Sequence, residues 1–343
     1  MSMLTLRRLV RTMATAPHPT SSLPPTTPPL QIHTTITSLR AWRHTQLLAS
    51  RTVGFVPTMG ALHAGHLSLI RAAATAHPAV CVSIFINPAQ FAPHEDLAQY
   101  PRTLSTDIAQ LEALNASLPE GAGRIEALFL PAVAELYPGG IPLEQDKQRG
   151  AFVTVVGLGE QLEGVTRPHF FRGVATVCTK LFNAVQPDAA YFGQKDVQQT
   201  VVLKRLVRDL CMPVEIRVCE TVREGEDGLA MSSRNVYLGE KRRAVAGGLY
   251  RALRAAEGAY MGGATERAVV LGAAEEVLRG VGREEGVEVR IEYVSLTDGE
   301  ELQELQTLDG RGGAILSGAV RMMPTGEGEA PVRIIDNIIF KAR

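Results

Sequence analysis

The sequence has few features of a secreted or metal-stabilised protein. Its 343 residues include four cysteines (Cys81, Cys178, Cys211 and Cys219), none of which forms a CxxC pair, and each lies in or beside an apolar run. We therefore predict buried free thiols in a reducing compartment. A redox pair at Cys211 and Cys219 is the weaker alternative. The lack of a CxxC pair also disfavours a zinc site.

A basic surplus and a long apolar run are also missing. The formal net charge is −1, which argues against a nucleic-acid partner, because such proteins usually carry excess lysine and arginine. No run reaches the roughly 18 apolar residues that a membrane helix needs. We therefore expect a soluble body with no membrane partner.

Acidic residues are missing from the N-terminal part of the chain, where the first is Glu95. On a helical wheel, three arginines cluster opposite an apolar side, as in a mitochondrial presequence (Arg7, Arg8 and Arg11). A Pro/Ser/Thr-rich linker follows at residues 16–30. We predict an N-terminal extension over residues 1–31 and a cytoplasmic or mitochondrial protein. The alternative is a disordered tail with a later methionine as the start.

From Ile32 to about residue 224, apolar strand-like runs alternate with helical patterns. Strand candidates are residues 52–57, 80–87, 125–131, 152–156, 189–193 and 214–220, and helix candidates are residues 36–50, 64–76, 102–115, 173–185 and 197–210. This alternation predicts an α/β fold, a Rossmann-like doubly wound parallel sheet covered on both faces. We assign it to residues 32–224.

The remaining residues, 225–343, have another character. Two alanine-rich helical stretches (240–258 and 264–280) precede three β-like runs (287–296, 313–322 and 332–340). Helices followed by strands predict a smaller C-terminal α+β domain.

The most informative stretch is VPTMGALHAGH, residues 56–66. A strand runs into a glycine turn, and a helix then starts near residues 62–64, so that unpaired N–H groups and the helix dipole favour phosphate there. His63 and His66 are three residues apart and share a helix face. Together they predict a nucleotide triphosphate site, although isolated histidines are more often surface or core residues.

Three other stretches also follow strands or lie at the predicted domain junction. YFGQKDVQQ (191–199) places a lysine at a helix start, GLAMSSRN (228–235) offers hydroxyls and an arginine, and FINPAQF (85–91) offers the amides Asn87 and Gln90. Each is also compatible with an ordinary turn or helix cap. Ligands bind at such positions in open α/β sheets, so we predict one composite site.

The ordered set PTMGALHAGH, INPAQF, YPRT, LEGVTRP, FRGV, FGQKDVQQ and DGLAMSSRN resembles the pantothenate synthetase (pantoate–β-alanine ligase) family, from about residue 32 to the end. HAGH and MSSR are similar to the HIGH-like and KMSKS-like signatures of the HIGH-type nucleotidyltransferases. The resemblance implies that pantoate and ATP form pantoyl adenylate, that β-alanine then gives pantothenate and AMP, that Mg²⁺ assists, and that the protein is a homodimer.

The resemblance also implies residue roles. His66 would be a proton donor, with His63, Lys195 and Arg234 supplying further positive charge or hydrogen bonds. The implied ATP site comprises Met59, Gly60, His63, Gly65, His66, Gly193, Lys195, Asp196, Val222, Met231, Ser232, Ser233 and Arg234. The implied pantoate and β-alanine site comprises Gln90, Gln199, Asn87, Tyr100 and Arg167, with Glu163 at its border. The mixed anhydride formed in the first step is water-sensitive, so the site should close over it. We predict that the small domain that carries or flanks the MSSRN stretch is the lid.

The chain also departs from the family pattern. Phe170 stands where many relatives have a histidine, Gln194 where many have a glutamate, and the segments around 139–150 and 303–313 are longer than in compact bacterial relatives. Two alternatives remain at this point. One is another HIGH-type adenylyltransferase, which leaves AMP on a phosphate product, and the other is a non-catalytic nucleotide-binding module.

Overall fold

A computed structural model describes residues 29–343, apart from His94 and Glu284. The predicted targeting segment and most of the predicted linker lie outside the described residues. Among the described residues, no helix has both the length and the apolar character needed to cross a membrane.

The first part of the chain forms a six-stranded parallel sheet. Its strands are β1 (Gln31–His33), β2 (Val53–Thr58), β3 (Ala79–Ile84), β4 (Arg124–Phe129), β5 (Ala189–Gly193) and β6 (Glu215–Cys219). Their spatial order is β1-β4-β3-β2-β5-β6. Strands β3 and β4 therefore follow on one side of β2, whereas β5 and β6 follow on its other side. The β2/β5 boundary is the switch point, where open α/β sheets bind ligands.

Helices cover both faces of this sheet, as predicted. They are α1 (Ile36–Leu48), α2 (Ala64–Ala76), α3 (Leu104–Ser117), α4 (Val133–Leu136), α5 (Glu163–Thr166), α6 (Phe170–Val185) and α7 (Val197–Asp209). Alternate strand residues divide between two apolar clusters: Phe55 and Cys81 pack on the α1/α6 side, and Val56 and Val82 on the α2/α3 side. Strands buried on both faces explain the nearly continuous apolar runs in the sequence.

The C-terminal part forms a smaller antiparallel sheet with its own core. Its elements are the hairpin β7 (Arg223–Glu224) and β8 (Leu229–Ala230), the helices α8 (Gly239–Val245), α9 (Gly248–Met261) and α10 (Arg267–Gly280), and the strands β9 (Val289–Thr297), β10 (Ile315–Met322) and β11 (Val332–Ile339). The order β11-β10-β9 is antiparallel throughout. The fold class is therefore the predicted one.

The C-terminal sheet is attached to the first domain by both apolar and charged contacts. Leu302 and Ile315 join Leu158, Phe171 and Val197 in one buried cluster. Arg205 on α7 forms an ion pair with Glu301. This joint is extensive for a domain that we predict to be a lid.

Four expectations about local structure need correction. Strand β1 precedes the predicted first helix. Residues 152–156 are not a strand, because Val153 N–H donates to Thr176 Oγ1 on α6 and its side chain packs on the core. The predicted helix at 240–258 divides into α8 and α9 around residues 246–247. Cys211 is exposed, since it lies in the turn after α7, although Cys81 and Cys178 are buried.

The two long segments form ordered loops. Residues 139–150 contain a short 3₁₀ turn at Gln145–Lys147, and Gln148 Oε1 accepts a hydrogen bond from Arg172 Nη1. In the segment 303–313, Leu308 is buried in the C-terminal core. A buried leucine anchors this loop to the smaller domain.

Candidate active site

The turn between β2 and α2 is held by a carboxylate from a distant helix. Gly60 has φ +85° and Ala61 has φ +48°, a left-handed conformation that is unfavourable for alanine. Asp107 on α3 accepts hydrogen bonds from the N–H groups of Ala61 and Leu62, at 3.0 and 2.8 Å. Asp107 is buried. It thus fixes the strained turn that presents the helix start, and sequence analysis did not single it out.

The two histidines of this turn lie side by side. His63 is the N-cap of α2, and its Nδ1 accepts from Gly65 N–H at 3.1 Å, which places its ring proton on Nε2. The His63 and His66 ring centroids are 4.1 Å apart. A Cβ on Gly65 would lie 2.8 Å from His63 Cε1, so the glycine makes room for the imidazole.

Both imidazoles are kept neutral at pH 7. Burial, reinforced by the charge of Lys195, lowers the pKa of His63 to about 4. Burial, then His63 and Lys195, lowers the pKa of His66 to about 3. Without a ligand, His66 is therefore a neutral imidazole, which donates a hydrogen bond but has no additional proton to transfer. This state does not favour the implied role of proton donor. Nearby phosphate charge would raise both pKa values.

This shift predicts a specific acid sensitivity. Because the folded pKa of His66 lies below the unfolded value of 6.5, the unfolded chain binds more protons, and stability falls as the pH drops below about 6.5. For His66 the loss at pH 5 is about 2 kcal/mol. His66→Gln should reduce the change in unfolding free energy between pH 7 and pH 5 by about that amount, as measured by urea titration. An unchanged difference would contradict the assignment, and the exposed His44→Gln is the control.

The second predicted motif follows β5, at the switch point beside β2. Gly193 ends the strand, a 3₁₀ turn spans Gln194–Asp196, and α7 begins at Val197. Lys195 Nζ lies 3.8 Å from Asp196 Oδ1. The positive charge of Lys195 helps to lower the pKa of both His63 and His66. The structure thus brings this motif together with the first.

The MSSRN loop contacts the first turn directly. Ser233 Oγ donates to Ala61 O at 3.1 Å, and Met231 Cβ lies 3.8 Å from the Cβ position of Gly65. Met231 N–H donates to Val222 O, which ties the loop to the residues before β7. Ser232 Oγ caps the following turn by accepting from Arg234 N–H at 3.3 Å.

Arg234 is engaged by an acidic partner that sequence analysis did not single out. Its Nε and Nη2 donate to Asp96 Oδ2 and Oδ1, at 2.8 and 2.9 Å. The guanidinium also lies 5.4 Å from the ring centroid of the buried Tyr100. Burial would raise the pKa of Asp96, but the hydrogen bonds and charge of Arg234 outweigh it, and the pKa lies below its usual value.

In INPAQF, the two amides have different surroundings. Asn87 is buried and fully bonded, because its Nδ2 donates to Gln90 Oε1 and Gly173 O and its Oδ1 accepts from Tyr137 O–H and Ala89 N–H. Its bonds hold the turn and orient Gln90. Gln90 Nε2 lies 3.0 Å from Met59 Sδ, a weak acceptor. Of the two amides, only Gln90 is open to exchange this contact for a ligand.

Arg167 and Gln90 share a small cavity. The cavity has a volume of about 170 Å³ and is also lined by Glu95, His169 and Phe170. Arg167 pairs with Glu95 through two hydrogen bonds of 2.7 and 2.6 Å, and its guanidinium stacks 4.1 Å from the Phe170 ring centroid. The aromatic ring at position 170 therefore supports Arg167, while His169 supplies an imidazole to the same cavity.

Glu163 faces the smaller domain. Its carboxylate accepts from Tyr293 O–H at 2.7 Å and forms an ion pair with Arg333. Gln199 is half-buried and makes no side-chain hydrogen bond to the residues that the structure describes. Its neighbour Gln198 is fully used by the backbone of residues 158–163.

The geometry therefore separates the predicted site residues into three groups. Direct contacts or electrostatic coupling link the first turn, Lys195 and the MSSRN loop. Gln90 and Arg167 line a cavity and connect to the same loops through Met59 and Glu95. Glu163 and Asn87 are committed to structural contacts.

Known proteins resemble this chain over most of its length. The family model for pantoate–β-alanine ligase matches residues 31–339. The chain belongs to the pantoate–β-alanine ligase family. A pantothenate synthetase from Herpetosiphon aurantiacus is 46% identical, over 91% of this chain and 100% of its own length. A pantoate–β-alanine ligase from Saccharomyces cerevisiae is 42% identical with the same coverage.

Solved structures of this ligase family share the fold. A pantothenate synthetase from Thermus thermophilus matches with a TM-score of 0.74 and 41% identity, covering 90% of this chain and 98% of that one. A pantoate–β-alanine ligase from Francisella tularensis, complexed with β,γ-ATP and β-alanine, matches with a TM-score of 0.67 and 30% identity, covering 91% and 98%.

Proposed function

We propose that this ligase condenses pantoate with β-alanine by using ATP, in two steps at one site. The pantoate carboxylate attacks the α-phosphorus, the bond to the β-phosphate breaks, and pyrophosphate leaves. The β-alanine amine then attacks the acyl carbon of pantoyl adenylate, and AMP leaves. The observation that carries this proposal is the convergence of the HAGH turn, Lys195 and the MSSRN loop at the β2/β5 switch point, beside a cavity lined by Gln90 and Arg167.

The first step brings two anions together, so the site must supply positive charge and hydrogen-bond donors. Lys195 supplies an ammonium group, His63 and His66 supply N–H donors, and the start of α2 supplies backbone N–H groups. These groups are preorganised by the protein fold and need little rearrangement when charge shifts in the transition state. Positioning and electrostatics suffice for both steps.

Pantoate and ATP should have separate places in this arrangement. Gln90, with one exchangeable amide contact, and Arg167, a cation in the cavity wall, suit a small hydroxy acid. The carboxylate of pantoate would point from the cavity toward the HAGH turn. Gln199 remains a proposed second amide for this substrate.

Magnesium fits the site only together with the nucleotide. Among residues 29–343 without His94 and Glu284, no group of three or more His, Cys, Asp or Glu side chains could hold a metal ion. Mg²⁺ commonly binds through substrate phosphates and one or two carboxylates. Asp196, beside Lys195, is the carboxylate that we propose for this role. The ion would neutralise part of the phosphate charge.

The two-step route predicts a partial reaction. Pantoate, ATP and Mg²⁺ without β-alanine should support exchange of labelled pyrophosphate into ATP, because the adenylate and pyrophosphate form before the amine is needed. Exchange should require pantoate and should stop when the metal is chelated. A strict requirement for β-alanine in the exchange would exclude a free adenylate intermediate.

Two proposals concern the whole protein. We infer a homodimer from the family resemblance, which a single-chain mass in analytical ultracentrifugation would contradict.

The residue pattern at 1–30 suggests mitochondrial targeting. A fluorescent fusion of residues 1–30 that stays diffuse in the cytosol would contradict targeting, and loss of activity after their removal would show a catalytic need for them.

A further inference from the structure

Asn337 lies in the C-terminal sheet, and its side chain contacts the turn that carries Lys195. It lies in β11, and only 1% of it is exposed. Its Nδ2 donates to Gln194 O and Lys195 O, at 2.8 and 3.0 Å, and its Oδ1 accepts from Gln194 Nε2 at 3.1 Å. One amide therefore makes three hydrogen bonds to the turn that carries Lys195.

The two carbonyl contacts fix the backbone on both sides of Lys195. Gln194 O belongs to the peptide plane before the Lys195 Cα atom, and Lys195 O belongs to the plane after it. Because peptide planes are rigid, holding both planes sets φ and ψ of Lys195. The direction of the Cα–Cβ bond, and thus the reach of the ammonium group, follows from those angles.

Asp336, the residue before Asn337, holds the hairpin that leads into the MSSRN loop. Asp336 forms a two-point ion pair with Arg223, at 2.5 and 3.1 Å. Arg223 also donates to Gly228 O at 3.0 Å, in the hairpin that leads into the MSSRN loop. Asp336 Oδ1 in turn accepts from Asn337 N–H at 2.8 Å. Two consecutive residues of β11, Asp336 and Asn337, thus tie together the turn that carries Lys195 and the hairpin that leads into the MSSRN loop.

We propose that Asn337 is a positioning residue for adenylate formation, acting through the two backbone carbonyls that flank the lysine and thereby aiming the Lys195 ammonium at the reacting phosphate. This inference rests on the proposed function. It assigns to the C-terminal sheet a share in the chemistry of the first domain, through an amide that touches no substrate.

The test compares Asn337→Ala and Asn337→Leu, each in the wild-type and Lys195→Ala backgrounds, by pantoyl-adenylate formation with varied ATP. Asn337→Leu roughly keeps the side-chain size and removes both Nδ2 donors without burying a charge, so it serves if the alanine variant does not fold. Ser317→Ala is the matched control. Ser317 pairs with Asn337 across the β10/β11 ladder, is buried, and has no hydrogen-bond partner for its hydroxyl among the described residues.

Removing the Asn337 contacts should lower kcat by about 10- to 100-fold, because small misplacements of a charged group are costly in rate. The KM for ATP should change by less than about threefold. In the Lys195→Ala background the same substitution should lower kcat by less than about twofold, since coupled residues are not additive. Ser317→Ala should match the wild type.

Two results would overturn the proposal. One is an unchanged kcat in a folded Asn337 variant. The other is an equal loss of kcat with and without Lys195, which would mean a general structural role. Absence of pantoate-dependent adenylate formation in the wild-type protein would instead contradict the proposed function, so the two failures are distinguishable.

Discussion

Lys195→Ala should lower the single-turnover rate of pantoyl-adenylate formation by about 10²–10³, or roughly 3–4 kcal/mol, at saturating ATP and pantoate. The physical reason is that, in the proposed mechanism, the start of α2 and the neutral His63 and His66 would already hold the ground-state phosphates. The lysine is the full positive charge that lies near both imidazoles. Its loss should therefore appear in kcat rather than only in KM.

Lys195→Arg should restore only part of this rate. A planar guanidinium presents its donors in a fixed fork and does not replace a compact ammonium. The matched control is Lys204→Ala, which removes an exposed lysine from α7 and should leave the rate unchanged. Wild-type rates for the Lys195→Ala variant would show that Lys195 is a surface lysine without a part in the chemistry.

Arg333→Met should lower the free energy of unfolding by about 3 kcal/mol, because it leaves the buried carboxylate of Glu163 without its counter-ion. Arg333 pairs with Glu163 of the first domain and with Glu292 of its own sheet. The side chain of Glu163 is only 11% exposed. Removing the arginine leaves Glu163 without its ion-pair partner, whereas Glu292 keeps its ion pair with Arg321. Urea titration would measure the loss.

A double variant identifies the source of this loss. Adding Glu163→Gln to Arg333→Met should recover part of the stability, since it removes the charge that the arginine had neutralised. The control is Arg217→Met, which breaks an exposed pair with Glu215 and should cost far less, because exposed ion pairs contribute little to stability. Equal losses for Arg333→Met and Arg217→Met would mean that the domain joint does not depend on the buried pair.

Sequence patterns predicted the parts of the site that lie in short continuous segments. The HAGH turn is an example, because strand, glycine, helix start and both histidines occur within eleven residues. The alternation of apolar strands with amphipathic helices likewise predicted the parallel sheet. In these cases the local pattern and the tertiary structure favour the same conformation.

The features that sequence analysis missed depend on contacts between distant residues. Strand β1 has three residues and gains its pairing only from β4, almost one hundred residues later. Asp107 and Asn337 carry no motif of their own, and their roles follow from where α3 and β11 pack. Acidic residues are common in the first turn of a helix, so the position of Asp107 in α3 gave no sign that it holds another turn.

If Arg234 binds an anionic substrate group, as the family resemblance implies, its pairing with Asp96 would make that binding an exchange of one anion for another. An anion that binds Arg234 through the same donors must displace a carboxylate that already makes two hydrogen bonds of 2.8 and 2.9 Å. The free energy of that displacement subtracts from the affinity of every such anion. A weakly held anion that offers one contact gains little from the exchange, whereas a ligand anchored elsewhere in the site can drive it. Arg234 would therefore bind other small anions poorly, while Asp96 keeps its guanidinium oriented for the substrate.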